Sequence, residues 1–277
     1  MRKFSVLIAN YNGARYLEEC FNSLKKQTYN NIEIIFVDDC STDSSVSIVN
    51  KIKIESNLNI ILECNSKNRG CGYTKARSIE LASGDFCGFL DSDDALKPDA
   101  IEKMVHYHEL YSDCGLISSR YYVCDKNLKV LYPSPNITEK NFKNYLYTPK
   151  LTHFNTFKRD LYLKTEGISK TITHGVDQDL CLKMEEISPI KFVSDVFYLY
   201  RTYSKSISHG TGEQKATFYN MLIRIDACRR RNIDVSQIQG LFRFIVPKHN
   251  CFISFLIKKY RVFLFKLKKD KNKITKK

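Results

Sequence analysis

Four apolar, β-rich runs in the first ninety residues each stop at a polar or acidic cluster, with helical patterns between them. The runs are Phe4 to Ala9, Ile32 to Val37, Asn59 to Cys64 and Phe86 to Leu90. Continuous apolar runs of this length suit strands buried on both faces. The intervening segments Ala14 to Gln27, Ser44 to Glu55 and Tyr73 to Ala82 read as helices. In the first, Leu17, Cys20, Phe21 and Leu24 recur at helical spacing and form an inward stripe. Strand-helix-strand repetition predicts an α/β fold with a mostly parallel sheet flanked by helices.

That pattern also locates the chemistry. In open α/β sheets ligands bind beyond the carboxyl ends of the strands. Those ends carry Asn10-Tyr11-Asn12, Asp38-Asp39, Asn65 to Gly70 and Asp91-Ser92-Asp93-Asp94. Carboxylates set this close repel one another and are seldom assembled without a cation. Hard divalent ions such as Mg2+ and Mn2+ take one or two carboxylates and complete their shell with substrate phosphates. A solvated turn with Asp94 or Asp99 as helix cap explains the same residues without a metal. In Asp38-Asp39-Cys-Ser-Thr-Asp43, Ser41 or Thr42 suits a helix cap and Asp43 its positive end. Two adjacent acids at the end of a buried strand instead suit hydrogen bonds to a base or ribose.

After Pro98 the pattern changes. A helix is predicted over about Asp99 to Tyr111 and a strand over Gly115 to Cys124. Pro133 to Pro149 is turn-rich and polar, and Leu151 to Tyr203 holds short strands and a helix from near Gln178.

The net charge of +14 suggests nucleic acid until it is divided along the chain. Residues 243–277 carry twelve Lys and Arg against the single acid Asp270, which leaves only +3 for residues 1–242. The basic tail is a separate matter from the body. Wound as a helix, Cys251 to Lys269 gathers Lys258, Arg261, Lys268 and Lys269 on one arc opposite most of its aliphatic and aromatic residues, as an interfacial membrane helix does. Packing of that helix on the domain is the alternative. The ten cysteines form no CxxC pair, and no run of about 18 apolar residues exists to span a membrane. A reduced, cytoplasmic setting is expected, with the tail, residues 248–277, at an anionic membrane surface. No nucleic-acid motif accompanies the charge, so no nucleic acid is expected.

Taken together and in order, the motifs resemble the family 2 glycosyltransferases with the GT-A fold. The resemblance runs through Ser5 to Asn12, Leu17 to Gln27, Val37 to Asp43, Asn68-Arg-Gly70, Ala76-Arg77, Ala82 to Asp85 and Phe89 to Asp94. It covers residues 4–125 closely and reaches to about residue 208. It implies an inverting transferase of hexosyl or N-acetylhexosaminyl type, using a nucleotide-sugar donor, with a UDP-sugar favoured. The acceptor would be a glycan or lipid-linked molecule in bacterial surface polysaccharide, lipopolysaccharide or capsule synthesis, at the inner face of the cytoplasmic membrane. By the same resemblance Tyr11, Asp38, Asp39, Arg77, Asp91 and Arg201 hold the donor. Asp93 holds Mn2+ or Mg2+, with Asp91 and Asp94 as further candidate ligands.

The family's acidic segment before a helix maps to Gly175-Val-Asp-Gln-Asp-Leu180, which makes Asp177 the catalytic base and Asp179 the alternative. Val176 stands where the family usually has Glu, Ala9-Asn10 where Pro-Thr is common, Cys40 where Gly is common and Ser78 where Asn is common. Tyr200 to Ser208 matches a further family segment, and His174 is a candidate partner of the diphosphate or metal. The expected organisation is a GT-A domain over 1–210, with a nucleotide-binding half at 1–98 and an acceptor half at 99–210. A helical basic extension follows at 211–277. The rival functions are a sugar-nucleotide-binding protein without catalysis and a nucleic-acid-binding protein acting through the tail.

Overall fold

The structure is a computed structural model that describes residues 1–138, 144–147, 153–203 and 211–238. The basic tail, residues 204–208 of the Tyr200 to Ser208 segment and most of the second half of the Pro133 to Pro149 loop lie outside the described residues.

The elements run β1 (Phe4–Asn10), α1 (Ala14–Lys25), β2 (Ile32–Asp38), α2 (Ser45–Glu55), β3 (Ile60–Cys64), α3 (Cys71–Leu81) and β4 (Phe86–Phe89). Then follow β5 (Ala95–Leu96), α4 (Ala100–Leu110), β6 (Leu116–Cys124), β7 (Val130–Pro133), β8 (Asn155–Lys158), α5 (Arg159–Tyr162), α6 (Val176–Glu185), β9 (Ile190–Arg201) and α7 (Thr211–Arg230). The four expected strands form the parallel half of one sheet, in the order β3-β2-β1-β4. Beyond β4 the order continues β8-β6-β9-β5, with β7 pairing antiparallel to the end of β6. Here β8 is antiparallel to both β4 and β6, while β9 runs parallel to β6. The antiparallel β8 is a single short strand that joins the two halves into one sheet.

The apolar patterns fold as their periods require. Leu17, Cys20, Phe21 and Leu24 are buried along one face of α1, and Phe21 packs on Phe36 of β2 with ring centroids 5.9 Å apart. No side chain of its own caps α1. Its first free donor, Ala14 N–H, is accepted by Asp43 Oδ2 at 3.0 Å, while Asp43 Oδ1 accepts from Ser45 N–H at 2.9 Å. One carboxylate thus serves two helix starts.

Glu33 lies near the start of β2. It is buried, pairs with Lys3 at 2.6 Å and accepts from Ser5 Oγ at 2.6 Å and Ser83 N–H at 2.6 Å. Burial alone would raise this carboxyl, but the Lys3 ammonium and the Ser5 and Ser83 donors outweigh it and bring it down to about 2. A lowered carboxyl stabilises the fold above its unfolded value and loses that contribution as pH falls through the folded value. Glu33→Gln is therefore expected to lower stability by roughly 3 kcal/mol at pH 7. Urea denaturation should show the gap closing between about pH 4.5 and 2.

The compact body continues past the boundary read from sequence at residue 210, to Ile233. The reason is α7, which is tied to α6 and its C-terminal end by Arg231 with Glu185 (2.9 Å) and Arg230 with Glu186 (2.7 Å). The described residues 234–238 belong to a second unit and hold a short 3-10 turn over Val235–Gln237.

Candidate active site

The parallel order brings the carboxyl ends of β1 to β4 to one edge, where β2 ends at Asp38 with Asp39 following and β4 leads into Asp91 to Asp94. Asp38 and Asp39 are adjacent in sequence but brace different loops. Asp38 accepts from Asn10 Nδ2 (2.8 Å), Ser41 N–H (2.7 Å) and Ser41 Oγ (2.6 Å), closing its own turn. Asp39 accepts from Asn65 Nδ2 (2.8 Å), Arg69 N–H (2.8 Å) and Gly70 N–H (2.7 Å), shaping the approach to α3. Between these acids and the helix, Cys40 has φ +63°, a left-handed conformation that glycine adopts without strain. Tyr11 stands at the rim, 53% exposed.

The cluster after β4 divides into three environments. Asp94 is 1% exposed and turned inward, accepting from Tyr198 Oη at 2.7 Å and Arg201 N–H at 2.7 Å. Burial, then Asp93 and Asp91, push its carboxyl well above the usual range. Asp93 accepts from Tyr203 Oη at 3.0 Å, and burial and Asp91 raise it too. Asp91 has about a third of its side chain exposed and contacts Lys75 Nζ at 3.1 Å.

Arg201 lies beneath this cluster, 1% exposed. Its Nε donates to the Asp93 carbonyl at 2.6 Å, one terminal nitrogen donates to the Lys126 carbonyl and the other pairs with Glu19 at 2.6 Å. Its guanidinium also stacks over the Tyr16 ring at 4.2 Å. The structure thus places Arg201 as the internal clamp of the acidic turn, with its donors engaged by protein groups.

Facing Asp91 from the second half is Asp177, in the first turn of α6. One ammonium joins them: Lys75 Nζ lies 2.9 Å from Asp177 Oδ1 and 3.1 Å from Asp91 Oδ1. Burial alone would raise the Asp177 carboxyl, but Lys75 and then His153 outweigh it and hold it below the ordinary range. Asp179 is closed off instead, buried against Lys183 (2.9 Å) and Ser169 N–H (2.8 Å). Val176 is buried, facing the core. Of the two acids in the segment, Asp177 is the one at the site.

Arg77 is turned away from that cluster and pairs with Glu63 and Glu80, each at 3.2 Å. Two residues on a helix are about 200° apart, so Lys75 and Arg77 point to opposite sides of α3. His174 stacks on Tyr219 and contacts Thr173 Oγ1 at 2.9 Å.

Sequence reasoning missed Lys75, Tyr203 and His153. Lys75 had a readable signal, since Gly72, Lys75 and Ile79 share the inward face of α3 and an inward lysine is rare. His153 had none: it stacks on Tyr198 (4.8 Å) and Tyr200 (5.3 Å) through sheet contacts formed far along the chain.

The segment before α6 reaches the site by crossing α3 at Gly72, whose N–H donates to the Ile172 carbonyl at 3.0 Å. A Cβ at Gly72 would lie 2.4 Å from that oxygen and 2.5 Å from the Ser169 carbonyl oxygen, both backbone atoms. Gly72→Ala is expected to cost about 1–3 kcal/mol, readable as a lowered melting temperature.

The carboxylates fit a divalent cation of the hard, oxygen-preferring kind. Asp91 and Asp93 crowd negative charge that raises Asp93, and a cation would relieve it. Among the described residues no group of three or more His, Cys, Asp or Glu is arranged as a metal site. A cation held by these two would therefore complete its shell with substrate oxygens.

Residues 5–165 match the family model for glycosyl transferase family 2. A chondroitin synthase of Escherichia coli is 30% identical over 201 residues, which is 70% of this chain and 28% of that protein. The poly(ribitol-phosphate) beta-N-acetylglucosaminyltransferase TarS of Staphylococcus aureus (strain Mu50 / ATCC 700699) is 38% identical over 124 residues, 43% of this chain and 21% of that protein. In each case the match spans less than a third of the relative's own length. Among solved structures, S. aureus TarS 1-349 in complex with UDP-GlcNAc superposes with a TM-score of 0.68 at 21% identity, over 88% of this chain and 71% of that one. The mannosyltransferase PcManGT from Pyrobaculum calidifontis, in complex with GDP-Man and Mn2+, gives 0.58 at 16% identity, over 95% and 81%. At these identities the structural likeness shows a shared fold, that of the GT-A glycosyltransferases.

Proposed function

Because this chain belongs to glycosyl transferase family 2, we propose that it moves a sugar from a nucleotide-sugar, a UDP-sugar by preference, to a hydroxyl of a glycan or lipid-linked acceptor. The product would be a bacterial surface polysaccharide, and the sugar a hexose or N-acetylhexosamine. The observation that carries the reading is the meeting of Asp91, at the end of the parallel strands, with Asp177, on the helix of the second half. Relatives named as a chondroitin synthase and a poly(ribitol-phosphate) beta-N-acetylglucosaminyltransferase support the acceptor class. The neighbour solved with UDP-GlcNAc supports the donor class.

The reaction is a single in-line displacement. Asp177 takes the proton of the acceptor hydroxyl as that oxygen attacks the anomeric carbon. The bond from that carbon to the diphosphate oxygen breaks, its electron pair leaves with the nucleotide, and the configuration inverts. Asp93 and Asp91 would hold Mn2+ or Mg2+, which would supply positive charge beside the leaving diphosphate. Tyr11, Asp38 and Asp39 line the nucleoside end. The Asp38 and Asp39 carboxylates order the loops that would receive a base and ribose. Arg201 holds the acidic turn in shape from below.

Release of nucleoside diphosphate from a panel of nucleotide sugars with Mn2+ and mixed acceptors tests this. Release from one donor, lost in Asp93→Ala, is expected. Binding without turnover would instead indicate a sugar-nucleotide-binding protein, and failure of every donor to bind would overturn the reading.

No helix among the described residues is long and apolar enough to cross a membrane. We assign residues 248–277 to an anionic membrane surface, where a cytoplasmic enzyme would meet a lipid-linked acceptor; the support is the sequence, twelve basic residues over 243–277. Truncation at residue 247 should abolish binding to anionic vesicles, and unchanged partitioning would sink the assignment.

A further inference from the structure

We propose that Lys75 is the positioning residue of the reaction, a built-in cation that pins one oxygen of Asp177 and presents the other to the acceptor. This rests on the reading of Asp177 as the base that deprotonates the acceptor hydroxyl. Lys75 is 4% exposed, and a buried ammonium persists only where acids pair with it. It meets two, Asp177 Oδ1 and Asp91 Oδ1. Asp177 Oδ2 takes no hydrogen bond from any described residue, so it is the oxygen left for an incoming hydroxyl.

The geometry makes this a positioning device. Lys75 belongs to α3, which is braced at Gly72 against the segment leading into α6, and Asp177 sits in the first turn of α6. The ammonium therefore references the base to the donor side across the two halves of the fold. The Phe89 ring lies 4.9 Å from Nζ and walls the pair on one side, which strengthens the attraction. His153, the other basic group near Asp177, is held towards its neutral form by burial. Lys75, in direct contact with Oδ1, is thus the main charge acting on Asp177 and fixes its rotation. In the transfer the acceptor proton passes to Oδ2, the new bond forms at the anomeric carbon, and the ammonium stays on Oδ1 throughout.

The test is a double-mutant cycle on the full chain, using Lys75→Met, Asp177→Asn and both together, with Lys75→Arg alongside. Transfer and the affinity for UDP with Mn2+ are measured for each. If Lys75 acts through Asp177, Lys75→Met lowers transfer on the order of 100-fold in the wild-type background, the upper end for groups coupled by direct contact. It changes transfer less than about threefold in the Asp177→Asn background, because non-additivity marks groups that act as a unit. UDP affinity stays within about twofold, and Lys75→Arg, which keeps the charge, recovers about tenfold or more of the lost transfer. Equal losses in both backgrounds, or UDP affinity falling in step with transfer, would overturn the proposal. Should Lys75→Met fail to fold, Lys75→Arg decides: transfer near wild type supports the role, and transfer as low as Asp177→Asn with UDP affinity intact overturns it. A wild-type chain that neither binds UDP nor turns over any donor would instead remove the functional reading itself.

Discussion

Asp177→Asn is expected to reduce sugar transfer by roughly 10²- to 10⁴-fold, the range supplied by a positioned general base, while UDP affinity stays near wild type. The amide has the shape of the carboxylate but cannot accept the acceptor proton. Lys75 keeps Asp91 as a partner, so the fold survives the exchange. The comparison that gives the experiment its force is Asp179→Asn. That acid is buried on Lys183 and Ser169, and its loss should appear as a lower melting temperature with transfer per folded molecule maintained. If the two variants exchanged these behaviours, the base would be Asp179. Initial rates at saturating donor, set beside calorimetric UDP titrations, separate the cases.

The second large effect is on stability. Arg201→Met should destabilise the protein by about 3–5 kcal/mol, the usual loss when one partner of a buried charged network is removed. The guanidinium satisfies the carbonyls of Asp93 and Lys126, pairs with Glu19 and covers Tyr16. Methionine leaves those carbonyls buried without donors. For a domain of this size each kcal/mol moves the midpoint by about 2–4 °C, so a drop of roughly 10 °C is expected by calorimetry. Donor affinity should fall as well, since the same side chain shapes the turn that carries Asp93. A variant with wild-type melting but weakened UDP binding would place Arg201 on the diphosphate, as the family resemblance implies.

The parallel half of the fold was legible because its evidence is local. Four apolar runs, each too continuous for a one-sided strand, alternate with helical stripes, and that alternation allows few topologies. The first three helices begin and end within about two residues of the expected positions. The second half was less legible. The twelve-residue β9 looks like short strands because Lys191, Ser194, Asp195 and Arg201 interrupt its apolar pattern. Arg201 belongs in the strand only because Asp93 and Glu19, distant in sequence, receive it. Likewise Asp38 and Asp39 read as a ligand pair, whereas their orientation towards separate loops depends on where Asn65 and Ser41 fall in space.

Periodicity and motif order are properties of neighbouring residues, and they were enough for the parallel half of the sheet, the strand ends at which acids gather and the family. Within Asp177 and Asp179, and within Asp93 and Asp94, only the family resemblance ranked one acid above the other, and it pointed to Arg77 while passing over Lys75. Where each of these side chains turns was decided by tertiary structure. A helix turns residues two apart to opposite sides, so packing of α3 sent Lys75 to the acids and Arg77 to solvent. Burial sent Asp94 and Asp179 to structural partners and left Asp93 and Asp177 at the site, since a buried acid must find its donors within the fold.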